Sequence, residues 1–239
     1  MIKVGCCGFQ GKKQDYFKKF EVVEIQQTFY KLPKIETAKK WREEAPANFE
    51  YTMKAWQLIT HKPTSPTYRK AGIKIEEEKK DKYGFFKPTN EVFEAWEKCK
   101  EFAKELNAKL IVFQCPAAFK ENEENVSNLK QFFSSIGKKF TYAWEVRGEW
   151  KKETVLEICE EFDLIHCVDA FKNESCYGKI KYYRLHGIGG YNYDYSIDEL
   201  KKLYEICKKD REVYCMFNNT KMLKNALEFK EIIETRRKI

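Results

Sequence analysis

The chain has 239 residues, 43% hydrophobic and 34% charged, with a formal net charge of +8. That apolar content excludes a disordered polymer, and the length suffices for a sizeable core without disulfide or metal staples. The opening MIKVGCCGF is too short an apolar run for a signal peptide and no later run reaches membrane-spanning length, so a cytoplasmic protein is expected.

The charge is mostly Lys and Glu, a bias found in heat-stable proteins. Basic residues alternate with acids along helical stretches rather than forming one block, which reads as a solvated surface before it reads as a nucleic-acid face. Nine cysteines, an odd number with no CxxC pair, argue for reduced core thiols rather than a disulfide framework or zinc ribbon.

In chain order, short apolar and aromatic runs predict eight strands: 2–8, 22–29, 49–56, 109–116, 140–147, 164–170, 180–187 and 213–219. Helical spacing marks 35–45, 90–107, 124–137, 152–162, 196–209 and 222–237. Thr89 or Asn90 signals one helix start, and Ser196 followed by Glu199 has capping-box spacing. Eight βα units predict a single-domain TIM (β/α)₈ barrel over residues 1–239. Two units are irregular. Residues 58–89 form a long Pro-, Lys- and Gly-rich connection after strand 3, placed over the C-terminal mouth, and the 170–179 connection after strand 6 is too short for a full helix.

Polar residues fall late in these strands: Glu24 and Gln26, Lys54, Gln114, Glu145 and Arg147, Asp169, Arg184 and His186, Asn218 and Asn219. In a barrel that end carries chemistry. The competing reading is a set of cancelling ion pairs, Glu24 with Lys54, Glu145 with Arg147 and Asp169 with Arg184.

Six segments in order, VEIQQTFYKLP (23–33), MKAWQLITH (53–61), FQCPAAF (113–119), WEVRGEW (144–150), YYRLHG (182–187) and FNNT with NALEF (217–229), resemble motifs of the YecE-like family, also called domain of unknown function 72. The resemblance spans nearly the whole chain and implies a TIM barrel, but no particular reaction. The family's opening GTSGW reads GCCGF here, and its His-Pro after Glu-x-Arg reads Gly148-Glu149.

The residues themselves suggest an enzyme, hydrolase or isomerase/lyase, acting on a small anionic or sugar-like substrate. Glu24 or Glu145 would serve as acid/base, with Asp169 and His186 as further candidates and Lys54 as charge stabiliser or Schiff-base amine. Arg147 and Arg184 would present paired forks to a carboxylate or phosphate. Gln26, Gln114, Asn218 and Asn219 would orient the substrate, and Tyr30, Trp56, Tyr191, Tyr193 and Tyr195 offer stacking surfaces. Gly187, Gly189 and Gly190 miss phosphate-loop spacing, His166 and His61 look unconnected to the set, and Cys6, Cys7 and Cys115 read as inert thiols. No cofactor is expected. A divalent ion on Glu24, Glu145, Asp169 and His186 is the less favoured option, because neighbouring cations already neutralise the acids. Two alternatives stand beside the enzyme: a nucleic-acid-binding or nuclease-like protein gripping phosphates with the basic 57–90 segment, and a non-catalytic ligand-binding barrel.

Overall fold

A computed structural model describes residues 1–237. The elements run β1 (Ile2–Cys6), α1 (Lys13–Phe17), β2 (Val22–Ile25), α2 (Gln27–Tyr30), α3 (Ile35–Glu44), β3 (Glu50–Lys54), α4 (Gln57–Thr60), α5 (Pro66–Lys70), α6 (Asn90–Leu106) and β4 (Ala108–Gln114). They continue with α7 (Glu123–Ile136), β5 (Thr141–Glu145), α8 (Lys152–Phe162), β6 (Ile165–Cys167), β7 (Ile180–Leu185), α9 (Ile197–Cys207), β8 (Glu212–Phe217) and α10 (Met222–Arg237). All strand pairs are parallel, in the order β6-β5-β4-β3-β2-β1-β8-β7. One bridge between Val168 and Tyr183 closes the ring, which makes the β6–β7 seam its weakest wall.

Side-chain alternation divides each strand between two cores. Val22, Leu110, Val112, Ala143, Ile165, Cys167, Tyr182 and Met216 fill the barrel, while Val23, Met53, Ile111, Phe113, Trp144 and Phe217 pack outward against helices. The lower end is plugged by Lys3, whose ammonium donates to Glu50 (2.8 Å), Glu212 (2.8 Å) and the Tyr214 hydroxyl (3.0 Å). Only the C-terminal end is left for a site. No described helix is long and apolar enough to cross a membrane.

The strands are shorter than the apolar runs suggest. The second stops at Ile25, and the Thr28 hydroxyl, held by Ile25 O (3.1 Å) and Lys54 O (2.7 Å), turns the chain into α2. Gln26, Arg147, Asp169, His186, Asn218 and Asn219 therefore lie just past strand ends rather than in strands. The 58–89 connection is not a bare loop. It holds most of α4, α5 and a 3-10 turn at 77–82, and Phe86, fully buried against Phe113, Phe119 and Phe132, pins its end to the helix layer. The short helix α1 has no counterpart in the predicted elements. The helix starts hold as expected: Thr89 accepts from Val92 N, and Ser196 and Glu199 cap each other. No helix covers β6 between it and β7, as the short 170–179 connection requires.

Candidate functional site

At the centre of the mouth Arg184 is fully buried, and every N–H of its guanidinium has a partner. Nε donates to Glu24 Oε2 (3.1 Å), one terminal nitrogen to Gln114 Oε1 (3.1 Å) and to Glu145, and the other to Glu24 Oε1 (2.9 Å) and Gln26 Oε1 (3.4 Å). Glu24, equally buried, accepts in addition from the Tyr182 hydroxyl (2.8 Å), itself 2.7 Å from the Thr52 hydroxyl, and from Gln26 Nε2. Both groups are saturated. In this arrangement Glu24 and Arg184 form a buried ion pair with no donor or acceptor left over, and Arg184 stands in the place where Lys54 was expected.

Glu145 joins this sealed pair to an open side. One oxygen meets Arg184; the other accepts from Arg147 Nε (3.0 Å) and a terminal Arg147 nitrogen (2.9 Å). Burial would raise the Glu145 pKa, but Arg184 and then Arg147 outweigh it and pull it down to about 2. A carboxylate so firmly ionised is a poor general acid and a weak base near neutrality.

Arg147, with its side chain 37% exposed, also donates to His186 Nε2 (2.8 Å). A guanidinium can only donate, so in this arrangement Nε2 accepts and the ring proton sits on Nδ1, 3.8 Å from Asp169 Oδ2. Asp169 is itself tied down by the backbone N–H groups of His186 (2.9 Å) and Phe171 (3.1 Å); its partner is the histidine turn, not Arg184. These residues border a cleft of about 760 Å³ that runs from Glu145, Arg147, Asp169 and His186 to Trp150, Lys152, His166, Lys172 and Asn173. It opens where the helix after β6 is missing.

Lys54 alternates with outward-facing Met53 and so points into the barrel. It is buried, yet among the described residues its Nζ makes no hydrogen bond or ion pair; it lies 3.7 Å from the centroid of the Phe29 ring. Burial first, and Arg184 second, lower its pKa to about 7 against the opposing pull of Glu145 and Glu24.

The profile of the family described as "Protein of unknown function DUF72" matches residues 10–239. The chain belongs to the DUF72 family. A DUF72 family protein from Thermotoga maritima is similar to it over 98% of this chain and 99% of that one, at 22% identity and a TM-score of 0.70. One from Enterococcus faecalis gives 98% of each chain, 22% identity and 0.71. Endonuclease IV from Thermus thermophilus is similar at 11% identity and 0.60, covering 98% of this chain and 99% of that one. Identities this low carry the TIM-barrel fold alone. No curated protein matches the chain in sequence.

Within this DUF72 barrel, several expected ligand contacts lie elsewhere. Asn219 is fully buried outside the mouth, where its Nδ2 holds Tyr193 O (2.7 Å) and Asn225 Oδ1 (2.8 Å). The Tyr193 hydroxyl binds Glu199, and that of Tyr195 accepts from Gly187 N (2.8 Å). Tyr191 is exposed on the β7–α9 connection, Tyr30 sits in α2 under the Lys70 ammonium, and Trp56 packs on the outer core. Asn218 stays half-buried at the end of β8, its N–H on Leu185 O (2.8 Å). Gly148, standing where the family has His, has a structural cause: a Cβ there would lie 2.1 Å from Phe119 O. Among the described residues, no group of three or more His, Cys, Asp or Glu side chains is arranged to hold a metal ion. Lys152 and Lys172 escaped the sequence reading, and His166, which it set apart from the other polar residues, borders the cleft. The two lysines follow β5 and β6 on the mouth side, a positional signal that was present; the outward ring of His166, 3.1 Å from Cys176 N, gave none.

Proposed function

We propose that this protein is an enzyme that holds a small anionic or sugar-like substrate in the β5–β6 cleft and works on it by proton transfer. The observation that carries this reading is the division of the mouth. A saturated Glu24–Arg184 pair anchors Glu145, and Glu145 in turn fixes Arg147 with donors facing an open cleft. Arg147, Lys152 and Lys172 supply the positive charge that attracts a phosphate or carboxylate. His186, with one nitrogen toward Asp169 and the other toward Arg147, and Lys54, which is unpaired among the described residues and has its pKa lowered to about 7 by burial, are the groups we assign to proton transfer. The acid/base role thus passes from the carboxylates to an imidazole and an amine, which suits isomerase or lyase chemistry better than glycoside hydrolysis by paired carboxylates.

The test is calorimetric titration with a panel of sugar phosphates and small carboxylates, alongside single- and double-stranded oligonucleotides. The expected result is binding of one anionic small molecule that weakens at least ~10-fold in Arg147→Ala, the scale of a lost charged hydrogen bond. Salt-sensitive oligonucleotide binding with no small-molecule binding would replace this reading with a nucleic-acid one, in line with the fold shared with endonuclease IV.

A further inference from the structure

Lys54 is the one buried cation at the mouth that the ion-pair network, among the described residues, does not use. Lys3, at the other end of the barrel, has two carboxylates and a phenol; Arg184 has Glu24 and Glu145. Lys54 has only the face of Phe29, which offers no acceptor, although the carboxylates of Glu24 and Glu145 are close enough to act on its charge. Both are spoken for by arginines. Arg184 and Arg147 add positive charge around the amine, and His61, buried beside Phe29 (4.9 Å between rings), has its own pKa lowered to about 3, by burial first and then by Lys54. Glu24, Glu145 and the Phe29 ring favour the ammonium, but burial and the arginines outweigh them, and a desolvated amine beside other cations is the arrangement that leaves a lysine uncharged and nucleophilic.

We propose that Lys54 forms an imine with an aldehyde or ketone group of the anionic substrate held at Arg147. This rests on the reading of the β5–β6 cleft as a small-anion site, and it narrows the substrate class to carbonyl compounds bearing a phosphate or carboxylate. The amine lone pair forms the C–N bond, and the carbonyl oxygen takes a proton lost from nitrogen. The carbinolamine then expels that hydroxyl, with the second nitrogen proton, as water, leaving C=N. Nothing is oxidised or reduced. The imine draws electrons from the neighbouring carbon, so the next step is loss of a proton or cleavage of a C–C bond there.

The experiment is reductive trapping. Protein at pH 6.5 is incubated with dihydroxyacetone phosphate, glyceraldehyde 3-phosphate or pyruvate and sodium cyanoborohydride, then analysed by intact mass and peptide mapping. The expected result is a single dominant adduct on the Lys54 peptide, at least 10-fold above any surface lysine, absent from Lys54→Met and reduced at least 10-fold in Arg147→Ala. Should Lys54→Met not fold, ¹³C-formaldehyde methylation of the unaltered protein gives a second readout: a methylamine resonance at Lys54 titrating near 7. An anion that binds by calorimetry but leaves Lys54 unmodified, or a Lys54 that titrates near 10.5 or resists formaldehyde, overturns the imine while the anion site stands. Labelling of Lys54 by formaldehyde with no anion binding would overturn the cleft reading, and with it the substrate class.

Discussion

Two arginines share Glu145, and their fates differ. Arg184 comes from the middle of the mouth, has all five N–H groups used and no exposed surface; Arg147 lies two residues beyond β5, keeps 37% of its side chain in solvent and faces a cleft. The sealed side makes the barrel rigid, and the open side is where a ligand can be met. In a barrel whose mouth is crowded with charge, the ionisable groups most central to it are those least able to do chemistry, because buried charges persist only when partnered.

That contrast breaks most visibly at the sealed pair. Replacing Arg184 with Met leaves Glu24 and Glu145 buried without their cation, and urea denaturation should show a loss of roughly 3–5 kcal/mol. A loss below about 1 kcal/mol would mean that the pair is not sealed in solution.

Acid unfolding sharpens the role of the shared carboxylate. Glu145 is held down to about 2 in the folded chain against 4.5 in the unfolded one, so its stabilisation is fully present above pH 4.5 and is lost as the pH falls toward 2. The lost amount is roughly 3 kcal/mol, and the stability-against-pH curve of Glu145→Gln should be flatter by that much over this window. Matching slopes in the two proteins would show that Glu145 is not ionised by its arginines.

Next in size is Asn219→Ala. The change strands Tyr193 O and leaves Asn225 Oδ1 with the Tyr195 N–H (3.5 Å), costing roughly 1–3 kcal/mol in thermal melts, yet it should leave anion binding in the cleft unaltered. A fall in affinity would return Asn219 to the ligand. The smallest stability effect belongs to Arg147→Ala. Its partly exposed bond to Glu145 contributes about 0–1 kcal/mol, so this variant should melt with the unaltered protein while losing anion affinity.

The fold was legible because eight apolar runs separated by helical periodicity leave few architectures, and because the 170–179 connection is simply too short for a helix. The strand ends were less so: β-branched and aromatic residues continue past Ile25 into α2, and only the Thr28 hydroxyl contacts mark the turn. The grouping of Glu24, Gln114, Glu145, Arg147, Arg184 and His186 at one end was readable from their positions along the strands. Which acid would meet which base was not, since position along the strands puts Lys54 and Arg184 at the same end as Glu24 without saying which of them reaches it, and the choice turned on side-chain geometry across the barrel. Lys54 differs from the rest for the same reason: that it stands unpaired among the described residues is a property of its neighbours' prior engagements.

The measurement that bears most directly on the division of the mouth is a crystal structure of the protein soaked with a phosphorylated triose. The phosphate should appear against Arg147, Lys152 and Lys172, with Arg184 still bound to Glu24 and Glu145. Density for the ligand on Arg184, with Glu24 displaced, would contradict the account.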